Sequence, residues 1–277
     1  MDRVEFLLVD NHSRDRTAAV IAAIATHHPQ LKLLHENAIQ SSYAARNTGI
    51  RQAQHDFLVF TDADCRPEPQ WLRYLVQPFQ QPEVGLVAGQ IEALAPQTFL
   101  ERYAERSKIL SQKYTRAHPF CPYGQTANLA VRRSILQRVG LFRPYLTTGG
   151  DADFCWRVIR ETGCQIQLAE RAIVRHRHRA TWQALAEQWR RYGVSNQYLH
   201  ELHAIGLKPK RSTRYLLQQL LRWLGKEIPR ECWRMLQGRG SWVALWSIPI
   251  SIYTGYAYEA GQRSATLPPQ AREIAQF

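Results

Sequence analysis

The stretch Phe57-Leu58-Val59-Phe60-Thr61-Asp62-Ala63-Asp64 decides how the rest of the chain is read. Five largely apolar, β-favouring residues read as a strand buried on both faces. The run stops at two aspartates separated by one residue. The carboxyl end of a strand is where open α/β sheets place their ligands. Two carboxylates so close repel each other unless a cation lies between or beside them. Their oxygens suit a hard divalent ion, Mg²⁺ or Mn²⁺, which commonly brings phosphate oxygens with it. A solvated loop is the competing reading of the same pair, and the flanking segments must decide between them.

Working outward, β-turn-α alternation repeats on both sides. Val4–Val9 reads as a strand, with Ser13 able to cap a helix from about Arg14 to Ala25. Leu31–Leu34 is a second strand and Ser42–Ala53 a helix. Pro67 opens a helix whose Trp71, Leu72, Leu75, Val76 and Phe79 form one apolar stripe. Val84–Ala88 is a further strand. This alternation argues for an α/β fold with a mostly parallel sheet flanked by helices. Thr98–Arg116 reads as one helix, Gln125–Val131 as extended and Arg133–Val139 as a short helix. A helix over Asp153–Glu161 closes at Gly163, two short strands follow at Gln165–Leu168 and Ala172–Val174, and a longer helix begins near Trp182.

Composition narrows the partners. Lys and Arg number 36 against 23 Asp and Glu, a formal net charge of +13, so an anionic partner is expected. Much of the excess lies late, in Lys208, Lys210, Arg211, Arg214, Arg222, Lys226, Arg230, Arg234 and Arg239, opposed there by Glu227 and Glu231. These alternate with Leu217, Leu220, Leu221, Trp223, Leu224 and Trp233 at roughly helical spacing. That pattern suits an amphipathic helix on a membrane surface, or a solvated face on a core, better than a nucleic-acid-binding sheet. Ser241–Tyr258 is apolar but interrupted by Pro249 and Gly255, and reads as an interfacial or core-docked helix. The five cysteines, Cys65, Cys121, Cys155, Cys164 and Cys232, form no Cys-x-x-Cys pair, which argues against structural zinc and a disulfide framework. A reducing compartment follows, and with no leader read at Met1 the expected location is cytoplasmic, peripheral at the cytoplasmic face of the membrane.

Four segments carry chemistry: Val9-Asp10-Asn11-His12-Ser13-Arg14-Asp15-Arg16-Thr17, Ala44-Ala45-Arg46-Asn47-Thr48-Gly49, Thr61-Asp62-Ala63-Asp64, and Gly149-Gly150-Asp151-Ala152-Asp153-Phe154-Cys155-Trp156-Arg157. In order and spacing they resemble the family-2 glycosyltransferases, inverting sugar transferases of the GT-A fold. Thr126–Arg133, Val174–Arg179 and Gln188–Gly193 add to the likeness, which spans roughly Val4 to Gly193. The resemblance implies a GT-A domain over 1–200, followed by a basic, aromatic helical appendage over 201–277. It implies a nucleotide-diphosphate sugar donor, a hydroxyl acceptor and Mg²⁺ or Mn²⁺. Asp10 and Asn11 would meet the nucleobase, Arg46 the base or phosphate, and Asp62 the ribose or a metal-bound water. Asp64 would ligate the metal, with His176 as a further ligand. Asp151 would be the general base, with Asp153 its rival; a carboxylate within hydrogen-bond reach of the acceptor hydroxyl suffices for that task.

The chain departs from the family's pattern in three places. Gly150 stands where members often carry glutamate. Tyr192 replaces the tryptophan of the Gln-x-x-Arg-Trp box, which favours single-sugar transfer over processive synthesis. The strand-turn-helix unit that usually precedes Val4–Val9 is not matched, so the domain reads as shortened at its N-terminus with a strand edge left open. The alternative is a catalytically inactive GT-A-like binding or scaffold protein.

Overall fold

The computed structural model describes residues 4–277, and its contacts divide the chain into two units. The first comprises the described residues up to Ile91, Ser111–Val174 and Leu267–Phe277; the second comprises Glu92–Leu110 and Arg175–Thr266. The division expected at residue 200 therefore falls earlier, and the second unit also takes a segment from the middle of the chain.

In the first unit, β1 (Phe6–Asp10), α1 (Thr17–Ala25) and β2 (Leu31–His35) form a parallel β-α-β unit in register from Phe6–Leu31 to Asp10–His35. Ser13 does not cap α1. The N-cap position of that helix is Arg16, which makes no side-chain cap, and Asp15, just before it, accepts from the Thr17 amide at 2.9 Å. Ser41 caps α2 (Ser42–Gln52), accepting from the Tyr43 amide. The decisive apolar run is β3 (Phe57–Thr61), and it turns through Asp62-Ala63-Asp64 into the short β4 (Cys65–Pro67). Pro67 thus ends a strand, and α3 starts only at Trp71 (Trp71–Val76).

A five-stranded sheet runs β3-β6-β5-β7-β4, with β5 spanning Val84–Ala93, β6 Asn128–Arg132 and β7 Gln165–His176. One strand of this sheet is reversed: β6 pairs antiparallel with both β3 and β5, which run in the same direction as each other. Two short helices lie between β5 and β6 in the chain. The chain enters it through the irregular stretch after Arg116 and leaves directly into α6 (Arg133–Val139), so it is free to run backwards. β1 and β2 form a sheet of their own, not joined to β3 by backbone pairing among the described residues.

Asn128 holds this sheet together from inside. Fully buried, it donates to the Gln90 and Ala172 carbonyls and accepts from the Trp71 indole, so one side chain ties β6 to β5, β7 and α3. Leu75, Phe79, Val84, Val87, Ala130, Ala169 and Ala172 pack as the adjoining core. β7 is one strand rather than two, since Glu170 and Arg171 break the apolar pattern without breaking the backbone.

The second unit is helical. The helix expected over Thr98–Arg116 is two: α4 (Phe99–Arg106), and α5 (Gln112–Arg116), which belongs to the first unit. Lys108 and Leu110, both at positive φ, break the run. Thr98 and Glu101 form a reciprocal capping box on α4. The remaining helices are α8 (Trp182–His203), α9 (Thr213–Arg222), α10 (Ile228–Leu236), joined to α9 by a π turn over Trp223–Glu227, and α11 (Trp242–Ser264).

The unit boundary falls before residue 200 because α8 and α11 cross at glycines. A Cβ on Gly193 would lie 1.9 Å from the Tyr258 carbonyl oxygen, and one on Gly261 would lie 1.9 Å from that of Arg190. Only glycine lets the backbones approach so closely, despite its cost of about 1 kcal/mol in a helix interior. Leu100, Tyr103, Leu185, Val243 and Ile250 fill the core beside the crossing.

α11 runs unbroken through Pro249. Proline removes the amide that would bond the Leu245 carbonyl, and the Trp223 indole donates to that carbonyl at 2.7 Å instead. No helix among the described residues is long and apolar enough to cross a membrane.

Candidate active site

Four elements of the first unit carry the candidate side chains. β3 delivers Asp62 and Asp64 on the turn into β4. Arg46 comes from the first turns of α2. The extended segment before β6 supplies Thr126, and α7 (Gly150–Thr162) begins with Gly150 and Asp151. Arg46 Nη2 donates to Asp62 Oδ1 at 2.7 Å. Thr126 holds Asp151 twice, through its amide at 3.2 Å and its hydroxyl at 3.0 Å.

Asp151 is partly buried in the first turn of its helix, where the orphan amides favour a negative charge. Burial nevertheless lifts its pKa above the usual aspartate value. Arg46 pulls it back down, Asp62 pushes it further up, and the Thr126 bonds lower it again. Arg46 and Asp62 thus both act on the Asp151 carboxylate. A carboxyl group raised in this way takes a proton more readily than a solvated one, as a general base must.

Gly150 has a physical reason. A Cβ there would meet the Tyr43 ring at 2.6 Å, and the Gly150 amide donates to the Tyr43 hydroxyl at 2.9 Å. The Tyr43 ring, with the Arg46 guanidinium 5.4 Å from its centroid, occupies the space a glutamate would need. Burial drives the Tyr43 hydroxyl far above its ordinary pKa, and the Asp151 charge adds to that, so the phenol stays protonated. The sequence motifs did not single out Tyr43 or Thr126. Tyr43 lies three residues before Arg46 on the same helix face, and Thr126 opens the Thr126–Arg133 segment, so position held the only signal for either.

Asp153 is not placed to act as a base. It is fully buried, with Arg143 Nε at 2.9 Å on one oxygen and Arg157 Nε at 3.1 Å on the other. Arg157 also donates to the Val139 and Leu141 carbonyls, and Arg143 to that of Arg272. Asp153 therefore anchors α7 to the chain after α6 and to the C-terminal segment. An acceptor hydroxyl cannot reach it.

Asp10 ends β1, is buried, and has His35 Nδ1 3.8 Å from Oδ2; its Oδ1 has no hydrogen-bond partner among the described residues. A buried carboxylate oxygen left open in this way is costly unless a donor arrives. Asn11 has already committed its amide nitrogen to the Glu36 and Ile39 carbonyls, 2.8 and 2.9 Å away, so it braces the loop after β2. Glu36 in turn accepts from Thr48 on α2 at 2.6 Å.

Asp64 is exposed on the β3–β4 turn, and Asp62 is partly so. Burial, with the charges of Asp62 and Asp64 adding to it, pushes the Cys65 thiol up to about 11. Two reachable carboxylates suit a hard divalent ion that completes its shell with diphosphate and water oxygens. Among the described residues no three His, Cys, Asp or Glu side chains form a ready-made metal cage.

His176 belongs to the second unit, buried at the end of β7. Residues two apart in extended chain share a face, and the His176 and His178 rings lie 6.4 Å apart where β7 ends. Burial, helped by the neighbouring His176, pushes His178 down to about 4.

The family model described as Glycosyl transferase family 2 matches residues 1–140. The chain is 34% identical over 191 residues to glycosyltransferase AglE of Haloferax volcanii, covering 68% of this chain and 61% of that one. It is 33% identical over 157 residues to a pre-mycofactocin glycosyltransferase of Mycobacterium tuberculosis, covering 55% and 33%. It therefore spans about three fifths of the first relative and a third of the second. Among solved structures, the mannosyltransferase PcManGT from Pyrobaculum calidifontis, in complex with GDP-Man and Mn²⁺, matches with a TM-score of 0.54 at 20% identity, over 98% of this chain and 69% of that one. Glucosyl-3-phosphoglycerate synthase from Mycobacterium tuberculosis, in complex with phosphoglyceric acid, matches with a TM-score of 0.51 at 19% identity, over 73% and 70%. The fold is that of the GT-A glycosyltransferases, and the chain belongs to glycosyl transferase family 2.

Proposed function

We propose that the chain transfers a glycosyl residue from a nucleotide-diphosphate sugar to a hydroxyl acceptor, with inversion at the anomeric carbon and dependence on a divalent cation. The observation that carries this reading is Asp151, held by Thr126 at a helix start and within the field of Arg46 and Asp62. Asp151 takes the proton of the acceptor hydroxyl. The freed oxygen bonds to the anomeric carbon as the bond from that carbon to the diphosphate oxygen breaks, and the nucleoside diphosphate leaves with the electron pair. A single displacement from the opposite face inverts the centre.

The open Oδ1 of Asp10 suits an N–H donor on the nucleobase. Asp62 holds the ribose, and Arg46, now paired with Asp62, offers its remaining guanidinium donors to the phosphates. Mg²⁺ or Mn²⁺ held by Asp64 would supply Lewis-acid stabilisation of the leaving diphosphate. Support comes from the family match and from the solved relative bound to GDP-Man and Mn²⁺. We place the chain at the cytoplasmic face of a membrane, attached peripherally through its basic C-terminal helices, with a glycan, a lipid-linked molecule or a small molecule as acceptor.

A transfer screen across nucleotide sugars with Mn²⁺ or Mg²⁺ tests this. One donor should be consumed, giving a glycoside of inverted configuration by nuclear magnetic resonance. Asp64→Ala should abolish metal-dependent nucleotide binding. Retained configuration, or undiminished metal dependence of binding in Asp64→Ala, contradicts the proposal.

A further inference from the structure

The second unit carries an apolar surface that its own fold leaves uncovered. Leu217, Leu220, Leu221 and Leu224 follow the spacing of a core-facing helix stripe, yet each is 41–60% exposed. α9 buries none of its residues. The π turn adds one residue to the helix, which at about 100° per residue brings Leu236, 83% exposed, back into line with Leu217.

Charge on this helix is sorted by depth. Arg222, Lys226, Arg230 and Arg234 recur every fourth residue and are exposed, whereas the two acids, Glu227 and Glu231, are buried. Arg222 and Arg230 bond Glu227 at 3.2 and 2.8 Å, and Arg230 and Arg234 bond Glu231 at 3.3 and 3.2 Å. What faces outward is leucine and cation, with no exposed acid from Thr213 to Leu236.

α11 extends this surface. Trp242, Trp246, Pro249 and Tyr253 lie along one face and, with Phe99 and Trp182, line an open groove of about 670 Å³. Trp246 and Trp223 of the π turn have ring centroids 5.7 Å apart, so the groove adjoins the leucine-bearing helix. Among the described residues no charged side chain lines it.

We propose that this face docks on an anionic phospholipid bilayer, with the 213–236 helix lying in the headgroup region and the tryptophan groove taking a hydrocarbon chain of a bilayer lipid. Charge complementarity selects the occupant: an outward face with cations and no acid meets an anionic surface, while exposed leucines and tryptophans enter the acyl boundary. This deepens the proposed membrane placement, but it rests on the second unit alone. Vesicle binding needs no sugar donor, so its failure and that of the transfer reaction can be told apart.

The test uses the full chain and extruded vesicles of phosphatidylcholine with or without phosphatidylglycerol. Sedimentation should show binding to the anionic vesicles, at least about tenfold weaker on the neutral ones and falling with salt. Leu221→Glu/Leu224→Glu should lower binding by at least about tenfold with an unchanged circular-dichroism spectrum, because both side chains point outward. Arg214→Glu/Lys226→Glu, also exposed, should abolish the preference for phosphatidylglycerol and guards against a folding artefact in the leucine variant. Lipids brominated along the acyl chain should quench tryptophan fluorescence, less so in Trp242→Phe/Trp246→Phe. Absence of binding to anionic vesicles, or binding by both exposed-face variants as tight as that of the unaltered chain, overturns the proposal, as does quenching unchanged by loss of the two tryptophans. So does a chain dimer dissolved by Leu221→Glu/Leu224→Glu without any vesicle binding, which would assign the face to a second copy.

Discussion

The site of the first unit and the long helix of the second both set carboxylates against arginines, with opposite results. Asp62 stays 39% exposed beside Arg46, and Asp151 is held by a threonine rather than neutralised, so both acids remain available for chemistry. Glu227 and Glu231 are buried beneath Arg222, Arg230 and Arg234, so what remains available there is positive charge. The same ion-pair chemistry makes an acid site when the acid is left at the surface and a cationic face when it is covered. Asp153 follows the second pattern although it lies two residues from Asp151: two arginines take both its oxygens.

The largest effect expected from breaking this contrast is structural. Asp153→Asn would strand two guanidinium groups in the interior, and removing one partner of a buried ion pair costs about 3–5 kcal/mol. Thermal and urea unfolding should show that loss. A stable Asp153→Asn protein with reduced turnover would instead give Asp153 the chemistry assigned to Asp151.

Gly193→Ala comes next. Helix propensity would improve by about 1 kcal/mol, but the new Cβ would collide with the Tyr258 carbonyl, and a backbone atom cannot swing aside. A net loss of about 1–3 kcal/mol is expected in the melting of the second unit. A gain in stability would mean that α8 and α11 cross elsewhere.

The smallest effect is a pH shift. Asp151 must be ionised to accept a proton, so kcat/KM should fall as pH drops through its raised pKa, above the range of a solvated aspartate. Thr126→Val removes a hydroxyl donor that favours the charged form, so the acid limb should move up, by about 1 pH unit or less. A limb that stays put would detach Thr126 from the base.

Much of this contrast is legible in the amino-acid sequence. The apolar run into Asp62 and Asp64 marks a strand and the position of the turn, but not its burial: β3 lies at the edge of its sheet and buries only Leu58, so the expected burial on both faces is overturned. The segments around Asp10, Arg46 and Asp151 stand out by motif and order. Other features depend on partners that sequence does not pair. Asp153 resembles a second candidate base because Arg143, ten residues upstream, gives no local sign that it returns to it, although Arg157 at i+4 does. The antiparallel entry of β6 is illegible, since the loop before it carries no direction. The break between α4 and α5 rests on positive φ at Lys108 and Leu110, residue types that do not announce it. α8 groups with the first domain on sequence grounds because the family likeness runs to Gly193, and nothing in the sequence shows that Gly193 and Gly261 pack α8 closely against α11.

Asp151→Asn, assayed for turnover and for donor binding in the same preparation, tests the central claim most directly. The account predicts a fall in kcat of about 10²–10⁴-fold, the usual contribution of a positioned general base, with donor affinity and unfolding midpoint unchanged. Full turnover in Asp151→Asn would contradict it.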